Sequence, residues 1–261
     1  MIAAIINDCR DDNVKGRQIA RVSSLLNCHS TLVGVKNDLE AAGNLIDILD
    51  ALEDRKGVVL VNVAPRNHQA KGWKNGTPFG YFYYKNILVV STVDGLTLSL
   101  VKKLGLIDEI KVLDVPGVLN EMIKKGFVKK EIRQRIIKTQ FRSFEFSPRV
   151  AAYLWENKEL AGVKLLIQEI PQAPESVWFI DNFGNCKTTL LEDDIEKKVG
   201  DCLKTKLGEF DIYSRLKDVP NNKAAIIKGS SGIGDKRFLE IVMQGKSAAE
   251  NFKIQSGDLV I

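Results

Sequence analysis

The sequence predicts a two-domain α/β protein, in which a Rossmann-like N-terminal domain with a mostly parallel sheet precedes a smaller antiparallel β-barrel-like domain. Three observations predict this class. Short apolar runs alternate with segments of helical spacing in the first half, a proline-marked break falls at 171–174, and strand-like runs without regular helices follow it. The 261 residues are enough for two unequal domains, which we place at 1–165 and 166–261.

The N-terminal elements alternate in the way that βαβ units require. Strands are predicted at residues 2–6, 31–35, 58–63, 86–90 and 109–113. Helices are predicted at residues 18–26, 39–52, 96–104 and 118–125. Asn37 or Asp38 is expected to cap the second helix, because short polar side chains accept hydrogen bonds from the first free N–H groups.

The second half contains only short strand-like runs. These are predicted at residues 177–180, 186–190, 224–227, 238–243 and 259–261. Their spacing favours a small antiparallel barrel or sandwich.

Composition and charge narrow the function classes. The formal net charge is +5, and its densest basic run, residues 124–138, is interpreted as a solvated helix face and not as a nucleic-acid surface. Four cysteines without CxxC spacing and two histidines make a structural zinc site improbable, so we expect no metal.

The start of the chain lacks a basic segment before its short apolar run, and no apolar stretch is long enough to span a bilayer. We therefore expect a cytoplasmic protein with reduced thiols and no membrane partner.

A short polar turn inside the C-terminal domain is the strongest candidate site. Asp181, Phe183 and Asn185 lie around Gly184, so that a carboxylate, a ring and a carboxamide converge on one tight turn. This combination suits a ligand with a flat base and a polar part. The plain alternative is a hairpin turn, which uses the same Asn and Gly chemistry without needing the ring.

Four segments in order resemble one known family. They are the strand that ends in Asn7-Asp8, and residues 177–190, 239–249 and 255–260. They are similar to the motifs of the S-adenosylmethionine (SAM) hydroxide adenosyltransferases, or SAM hydrolases, a family that includes the SAM-dependent fluorinase and chlorinase. The C-terminal motifs of that family are Ile-Asp-x-Phe-Gly-Asn-x-x-Thr-Asn, Leu-Glu-Ile-Ala-Val-Asn-x-Gly-Ser-Ala and Gly-Asp-x-Val.

The resemblance implies a reaction and an assembly. Family members bind SAM between the α/β domain of one subunit and the β domain of its neighbour in a trimer, attack ribose C5′ and expel methionine. It therefore implies a homotrimer that takes SAM as substrate or ligand and needs no other cofactor. The sulfonium leaves as a neutral thioether, so the enzyme chiefly has to align a dehydrated nucleophile.

The resemblance also implies ligand-binding residues. Asp8 matches the carboxylate that holds the ribose diol, Asp181 the group that meets the methionine ammonium, Phe183 the ring against adenine, and Asn185 the amide at the base edge.

Three further positions carry a weaker correspondence. Asp12 or Asn13 stands where the family has a second N-terminal Asp, and Gln244 and Gly245 replace residues that border adenine. From the residues alone, Asp8 could instead cap a following helix or turn, and Asp181 could simply form its turn.

The catalytic residues of the family are replaced. Ala64 and Lys71 stand where the hydrolases have the Asp and Arg that position water, and Arg142 stands where they have a His. An alanine cannot hold water through a carboxylate. The fluorinase pattern fits no better, since only Ser143 falls near its halide-contacting Ser.

Substitute catalytic groups are available in the same segments. They are Arg66, Asn67, His68, Arg142 and Ser143. His68 could equally be an exposed loop imidazole.

Three functions remain open. The first is hydrolysis of SAM to adenosine and L-methionine, and the second is a protein that keeps SAM or adenosine affinity without turnover. A third is a different nucleoside or sulfonium ligand, because Cys9 and Arg10 replace Phe-Gly of the family beside the ribose position.

Overall fold

The computed structural model describes residues 1–64, 77–157 and 159–261. The chain divides into two compact units, Met1–Pro171 and Gln172–Ile261. The predicted fold class is confirmed, with a mixed α/β first unit and a curled β sheet in the second. The boundary predicted at 165/166 falls within the last strand of the first unit, Val163–Leu166.

The first unit contains seven strands and seven α-helices in its described part. The strands are β1 (Ile2–Asn7), β2 (His29–Gly34), β3 (Gly57–Asn62), β4 (Phe79–Tyr84), β5 (Ile87–Thr92), β6 (Glu109–Leu113) and β7 (Val163–Leu166). The helices are α1 (Asp12–Leu26), α2 (Asp38–Ala51), α3 (Ser99–Leu104), α4 (Val115–Lys124), α5 (Arg133–Lys138), α6 (Arg142–Glu145) and α7 (Ser147–Asn157).

The seven strands form one sheet in the order β2-β1-β3-β5-β4-β6-β7. The first four are mutually parallel, whereas β4 runs antiparallel to both of its neighbours and β7 antiparallel to β6. The sequence does not predict β4, because its first residues continue a Gly- and Lys-rich segment that is typical of a loop. Asn7 is level with Asn62 across the β1–β3 pair, so the carboxyl ends of these strands lie side by side.

Helix α1 begins earlier than predicted because Asp11 caps it, accepting a hydrogen bond from Val14 N at 3.0 Å. The predicted cap of α2 is confirmed, since the Asn37 side chain accepts from Glu40 N at 2.8 Å. Successive residues of the central strands are buried, so both faces of the sheet are covered, as expected for a sheet with helices on both sides.

The second unit contains six strands and one short helix. They are β8 (Val177–Ile180), β9 (Cys186–Leu191), β10 (Cys202–Thr205), β11 (Gly208–Tyr213), β12 (Ala224–Ile233), β13 (Lys236–Met243) and α8 (Ala248–Phe252). The sheet order is β10-β11-β12-β13-β9-β8, and every pair is antiparallel except β11–β12. Phe210, Leu239 and Ile241 lie in the buried cluster on one face.

Two predictions for this unit are wrong. Residues 259–261 do not form a strand, because only Leu259 makes a bridge, to Ser176. A regular helix is also present: the Ser247 hydroxyl accepts from Glu250 N at 3.0 Å and so starts α8 directly after the turn that follows β13.

Among the described residues, no helix has the length and apolar content needed to cross a bilayer.

Candidate functional site

In the first unit, Asp8 follows β1, the strand at which the order of strands in the sheet changes direction. The neighbours of β1 are β2 on one side and β3 on the other, and ligands of α/β sheets bind at such a crevice beyond the carboxyl ends. Asp8 N donates to Asn62 O at 3.3 Å, and Asp8 Oδ2 accepts from Ala64 N at 3.1 Å. The carboxylate is therefore held between the ends of β1 and β3.

A buried amide network fixes the turn that carries Asp8. Asn7 is fully buried, and its Nδ2 donates to Gln18 Oε1 at 3.0 Å. Its Oδ1 accepts from Cys9 N at 2.9 Å and from Asn62 Nδ2 at 3.5 Å. Since Asp11 caps the following helix, Asp8 is not its cap.

The end of β5 adds a second acidic group to this edge of the sheet. Thr92 Oγ1 accepts from Val63 N at 3.4 Å, which ties β5 to the chain after β3. Asp94 follows at once, with Oδ1 accepting from Gly95 N at 3.0 Å and Oδ2 buried without a hydrogen-bond partner in the described part of the chain. Three neighbouring strands thus end in polar side chains.

The remaining N-terminal candidates are placed differently. Asp12 is exposed in the first turn of α1. Arg142 begins α6, and its Nη1 donates to Thr77 O at 3.3 Å; burial lowers the pKa of its guanidinium. Ser143 is buried.

Three of the substitute catalytic candidates, Arg66, Asn67 and His68, lie outside the described residues, as does Lys71.

In the second unit, the Asp181 carboxylate organises its own turn. Asp181 Oδ1 accepts from Phe183 N at 2.8 Å and from Asn185 N at 2.9 Å. Asp181 Oδ2 accepts from Asn185 Nδ2 at 2.9 Å, and the backbone closes with Asp181 N donating to Asn185 O at 3.0 Å. The interpretation of Asp181 as a turn former is confirmed, and the carboxylate keeps acceptor capacity only on Oδ2.

The same turn presents Phe183 to solvent. The side chain of Phe183 is 71% exposed, which is unusual for a phenylalanine held on a rigid backbone. Gly184 has φ +81°, and a Cβ there would overlap the Ser247 hydroxyl. Ala249 N donates to Gly184 O at 3.0 Å, so the turn is fastened to the start of α8.

Gln244 and Gly245 lie in the turn between β13 and α8. Gln244 N donates to Lys223 O and Gln244 O accepts from Asn222 N, both at 3.0 Å. Gly245 is exposed with φ +78°. Ser247, at the end of the segment between β13 and α8, lies against Gly184, so this segment lies next to the turn of Phe183.

The thiol next to this turn is chemically inert. Cys186 is fully buried, and burial, followed by the charges of Asp181, Asp258 and Glu240, raises its pKa to about 12. Among the described residues, no group of three or more His, Cys, Asp or Glu side chains could hold a metal ion.

Sequence reasoning missed three supporting residues, namely Asn7, Gln18 and Ser247. Gln18 is buried in α1 on the same side as Val22 and Leu26. A single polar side chain at a buried helical position was the signal that could have identified it. Ser247 follows the turn glycine and precedes a helix, which is a capping signal.

The fold defines the class, an α/β protein with a mixed seven-stranded sheet in its first unit and a curled β sheet in its second. Residues 175–261 match the model of the SAM hydroxide adenosyltransferase C-terminal domain. The resemblance to the SAM hydroxide adenosyltransferase family is thereby confirmed over residues 175–261.

Two crystal structures resemble the whole chain. An uncharacterized conserved protein from Thermotoga maritima has 17% identity and a TM-score of 0.69, with 100% of both chains covered. A conserved hypothetical protein from Thermus thermophilus has 18% identity and a TM-score of 0.60, with 99% of both chains covered. At such identities they establish the fold alone. The chain matches no curated protein.

Proposed function

We propose that the protein binds SAM and hydrolyses it to adenosine and L-methionine. The observation that carries this proposal is the family match over residues 175–261, which includes the turn of Phe183. The chemistry is adenosyl transfer to water by attack at ribose C5′.

Asp8 supports the ribose-binding part of the proposal. Its carboxylate is anchored by one oxygen to a main-chain N–H of the crevice, so its orientation is set before a ligand arrives. A preoriented carboxylate can accept both hydroxyls of a ribose diol, and hydrogen bonds to a charged acceptor are the stronger kind. Asp12, exposed at the start of the next helix, is the proposed contact at the methionine end.

The turn of Phe183 supports the adenine part. An exposed ring on a fixed backbone loses little conformational entropy when a flat base stacks on it. Asn185 uses Nδ2 on Asp181, so its Oδ1 is the group proposed to accept from the exocyclic amine of adenine. Gln244 and Gly245 are proposed to border the base.

Asp181 is proposed to act on the ligand chiefly by holding the turn that carries Phe183 and Asn185. Three of its acceptor positions are used by Phe183 and Asn185, and the remaining one on Oδ2 is the proposed contact for the methionine ammonium.

The chemical step needs alignment more than proton transfer. A water or hydroxide placed in line with the C5′–S bond forms the C5′–O bond as the C5′–S bond breaks, and methionine leaves as a neutral thioether. Attack by hydroxide gives adenosine directly, whereas attack by water also releases a proton to solvent. Arg142, Ser143, Asn67 and His68 are the proposed groups around the nucleophile. The Arg142 charge would favour an anionic attacker such as hydroxide.

Product analysis tests the proposal. The pure protein is incubated with SAM from pH 7 to pH 10, and adenosine and methionine are quantified by chromatography. We expect both products in equal amounts, formed faster at higher pH. Release no faster than from buffer alone across this range would exclude hydrolysis.

A second candidate function is SAM or adenosine binding without turnover, favoured by Ala64. This residue contributes a main-chain N–H to Asp8 and has no side chain that could position water. Calorimetric titration with SAM, adenosine and methionine distinguishes the two candidates, because binding without product formation supports the second. Binding of none of the three would exclude both.

The proposal includes a homotrimeric assembly and a cytoplasmic location. Light scattering after size exclusion should give three times the 29.1 kDa chain mass. A monomer at micromolar concentration would contradict the assembly. Fractionation of the source cells should recover the protein with cytoplasmic markers.

A further inference from the structure

Helices α1, α5, α6 and α7 bring four guanidinium groups together with one carboxylate and two phenylalanine rings. We call this group the arginine cluster, and it consists of Arg17, Arg21, Arg135, Arg149, Glu145 and the rings of Phe141 and Phe144. None of these residues is among those proposed above for the adenosyl chemistry.

Glu145 is shared by three of the arginines. Its Oε2 lies 3.0 Å from Arg149, 3.5 Å from Arg21 and 3.5 Å from Arg135. The Arg149 and Glu145 side chains are only 11% and 13% exposed, whereas Arg135 is 58% exposed. A single carboxylate oxygen at these distances cannot satisfy three five-donor groups.

The two phenylalanine rings contact the guanidiniums of Arg17 and Arg21. Phe141 and Phe144 are stacked with centroids 5.4 Å apart. The guanidinium carbon of Arg21 lies 4.1 Å from the Phe144 centroid and that of Arg17 lies 4.7 Å from it. Stacking uses the flat face of a guanidinium and leaves its in-plane N–H donors for another partner.

Arg17 is the clearest case of unused donors. It makes no hydrogen bond or ion pair with any described residue, and its side chain is exposed. The cluster therefore offers a guanidinium edge that is positioned by aromatic contact and has no acceptor in the described part of the chain.

The charges of the cluster do not balance. The cluster holds four guanidiniums and one carboxylate, and Arg17 and Arg21 are four residues apart on one helix, where like charges repel. Burial, together with the charges of Arg21 and Arg135, lowers the pKa of Arg149. An anion at this place would remove repulsion that the folded protein otherwise retains.

We propose that the arginine cluster is a binding site for a ligand with two or more phosphate groups. The excess of three positive charges matches a diphosphate better than a single carboxylate, and the guanidinium edges suit paired phosphate oxygens. Because Arg17 and Arg21 lie over Phe144, that ring is not open to a stacking base. The site recognises the phosphates themselves, whether of inorganic pyrophosphate or of a nucleoside diphosphate.

Calorimetric titration without added metal tests the proposal, with inorganic pyrophosphate and ADP as the probes. The test variant is Arg17→Gln/Arg135→Gln, which removes the two exposed guanidiniums. Because hydrogen bonds to charged acceptors are the stronger kind, we expect the variant to bind pyrophosphate at least about tenfold more weakly. Because the site recognises only the phosphate groups, we expect similar affinities for pyrophosphate and ADP.

The matched control is Lys130→Gln/Arg133→Gln. It makes the same change in net charge next to the cluster, where Arg133 Nε donates to Asn120 Oδ1 and neither side chain meets Glu145. The control should bind like the parent, and circular dichroism should show that both variants fold. No binding by the parent, or equal weakening in the two double variants, would overturn the proposal.

Discussion

Asp8 and Asp181 both follow a strand, yet their carboxylates are held in opposite ways. The Asp181 carboxylate accepts hydrogen bonds from residues two and four positions away. Asp8 reaches Ala64, 56 residues away, and its turn depends on Asn7 and Gln18 as well. One site is encoded locally and the other only by the assembled sheet.

The difference separates two roles of an aspartate. Asp181 uses its charge to shape a turn, and the turn then presents Phe183. Asn7 helps to fix the turn of Asp8 by accepting from Cys9 N, and the Asp8 carboxylate is the group that we propose to contact a ligand. Variants at the two sites should therefore divide between loss of stability and loss of affinity.

The largest effect is expected from Gly184→Ala. The new Cβ would overlap the Ser247 hydroxyl and would also require an alanine at φ +81°. The free energy of unfolding should fall by about 3 kcal/mol or more in urea denaturation. Gly234→Ala is the control, since its φ of +55° is also positive but nothing lies within 4 Å of a Cβ there. Equal losses in the two variants would show that the contact with Ser247 is unimportant.

Removal of the Asp181 carboxylate should be the next largest effect. Asp181→Ala loses three hydrogen bonds to a charged acceptor, and we expect the free energy of unfolding to fall by about 2–3 kcal/mol. Asp8→Ala should cost about 1 kcal/mol or less, because the bond from Ala64 N lies at an exposed position where water can replace the carboxylate. Chemical denaturation of both variants measures the contrast, and the reverse order would contradict the division of roles.

Affinity for adenosine should fall in variants that change stability little. Asp8→Ala is expected to weaken adenosine binding about tenfold or more, because two ribose hydroxyls lose a charged acceptor. Phe183→Ala should weaken it by about fivefold to tenfold through lost stacking and leave stability unchanged, since the ring is 71% exposed. Calorimetry and thermal melts on the same samples separate the effects. A marked loss of stability in Phe183→Ala would mean that the ring packs in the fold.

The smallest effect concerns the pH dependence of stability. Burial raises the pKa of Cys186 in the folded protein to about 12, from the ordinary value of 9.0. The unfolded chain therefore loses this proton first, so the contribution is fully present below pH 9 and is lost progressively between pH 9 and about 12. The free energy of unfolding measured at pH 8, 9 and 10 should fall more steeply in the parent than in Cys186→Ala. Parallel slopes would contradict the shift.

The sequence predicted the parts of the molecule that local chemistry determines. The turn of Asp181, the Asn37 cap and most strands of the first sheet follow from short-range patterns, and the structure has them. Strand β4 was missed because it runs against its neighbours and lies between β5 and β6, an arrangement that no local pattern reveals. The bridge at Leu259 was mistaken for a strand since its pairing ends after one residue.

The same limit explains what was missed at the candidate site. Asn7, Gln18 and Ala64 converge on the turn of Asp8 only once β1, β3 and α1 have packed together. The arginine cluster likewise draws on four helices, and only part of its charge lies in the basic run at 124–138 that the sequence displays.

The bond between Asp8 and residue 64 has a consequence for how this protein can change. It uses the main-chain N–H of Ala64, so any residue except proline can take that position without losing the bond. The side chain there is exposed, so it can vary independently of the proposed ribose contact. If the proposed function holds, a single substitution at residue 64 would change the group offered to the nucleophile while the main-chain bond to Asp8 stays in place.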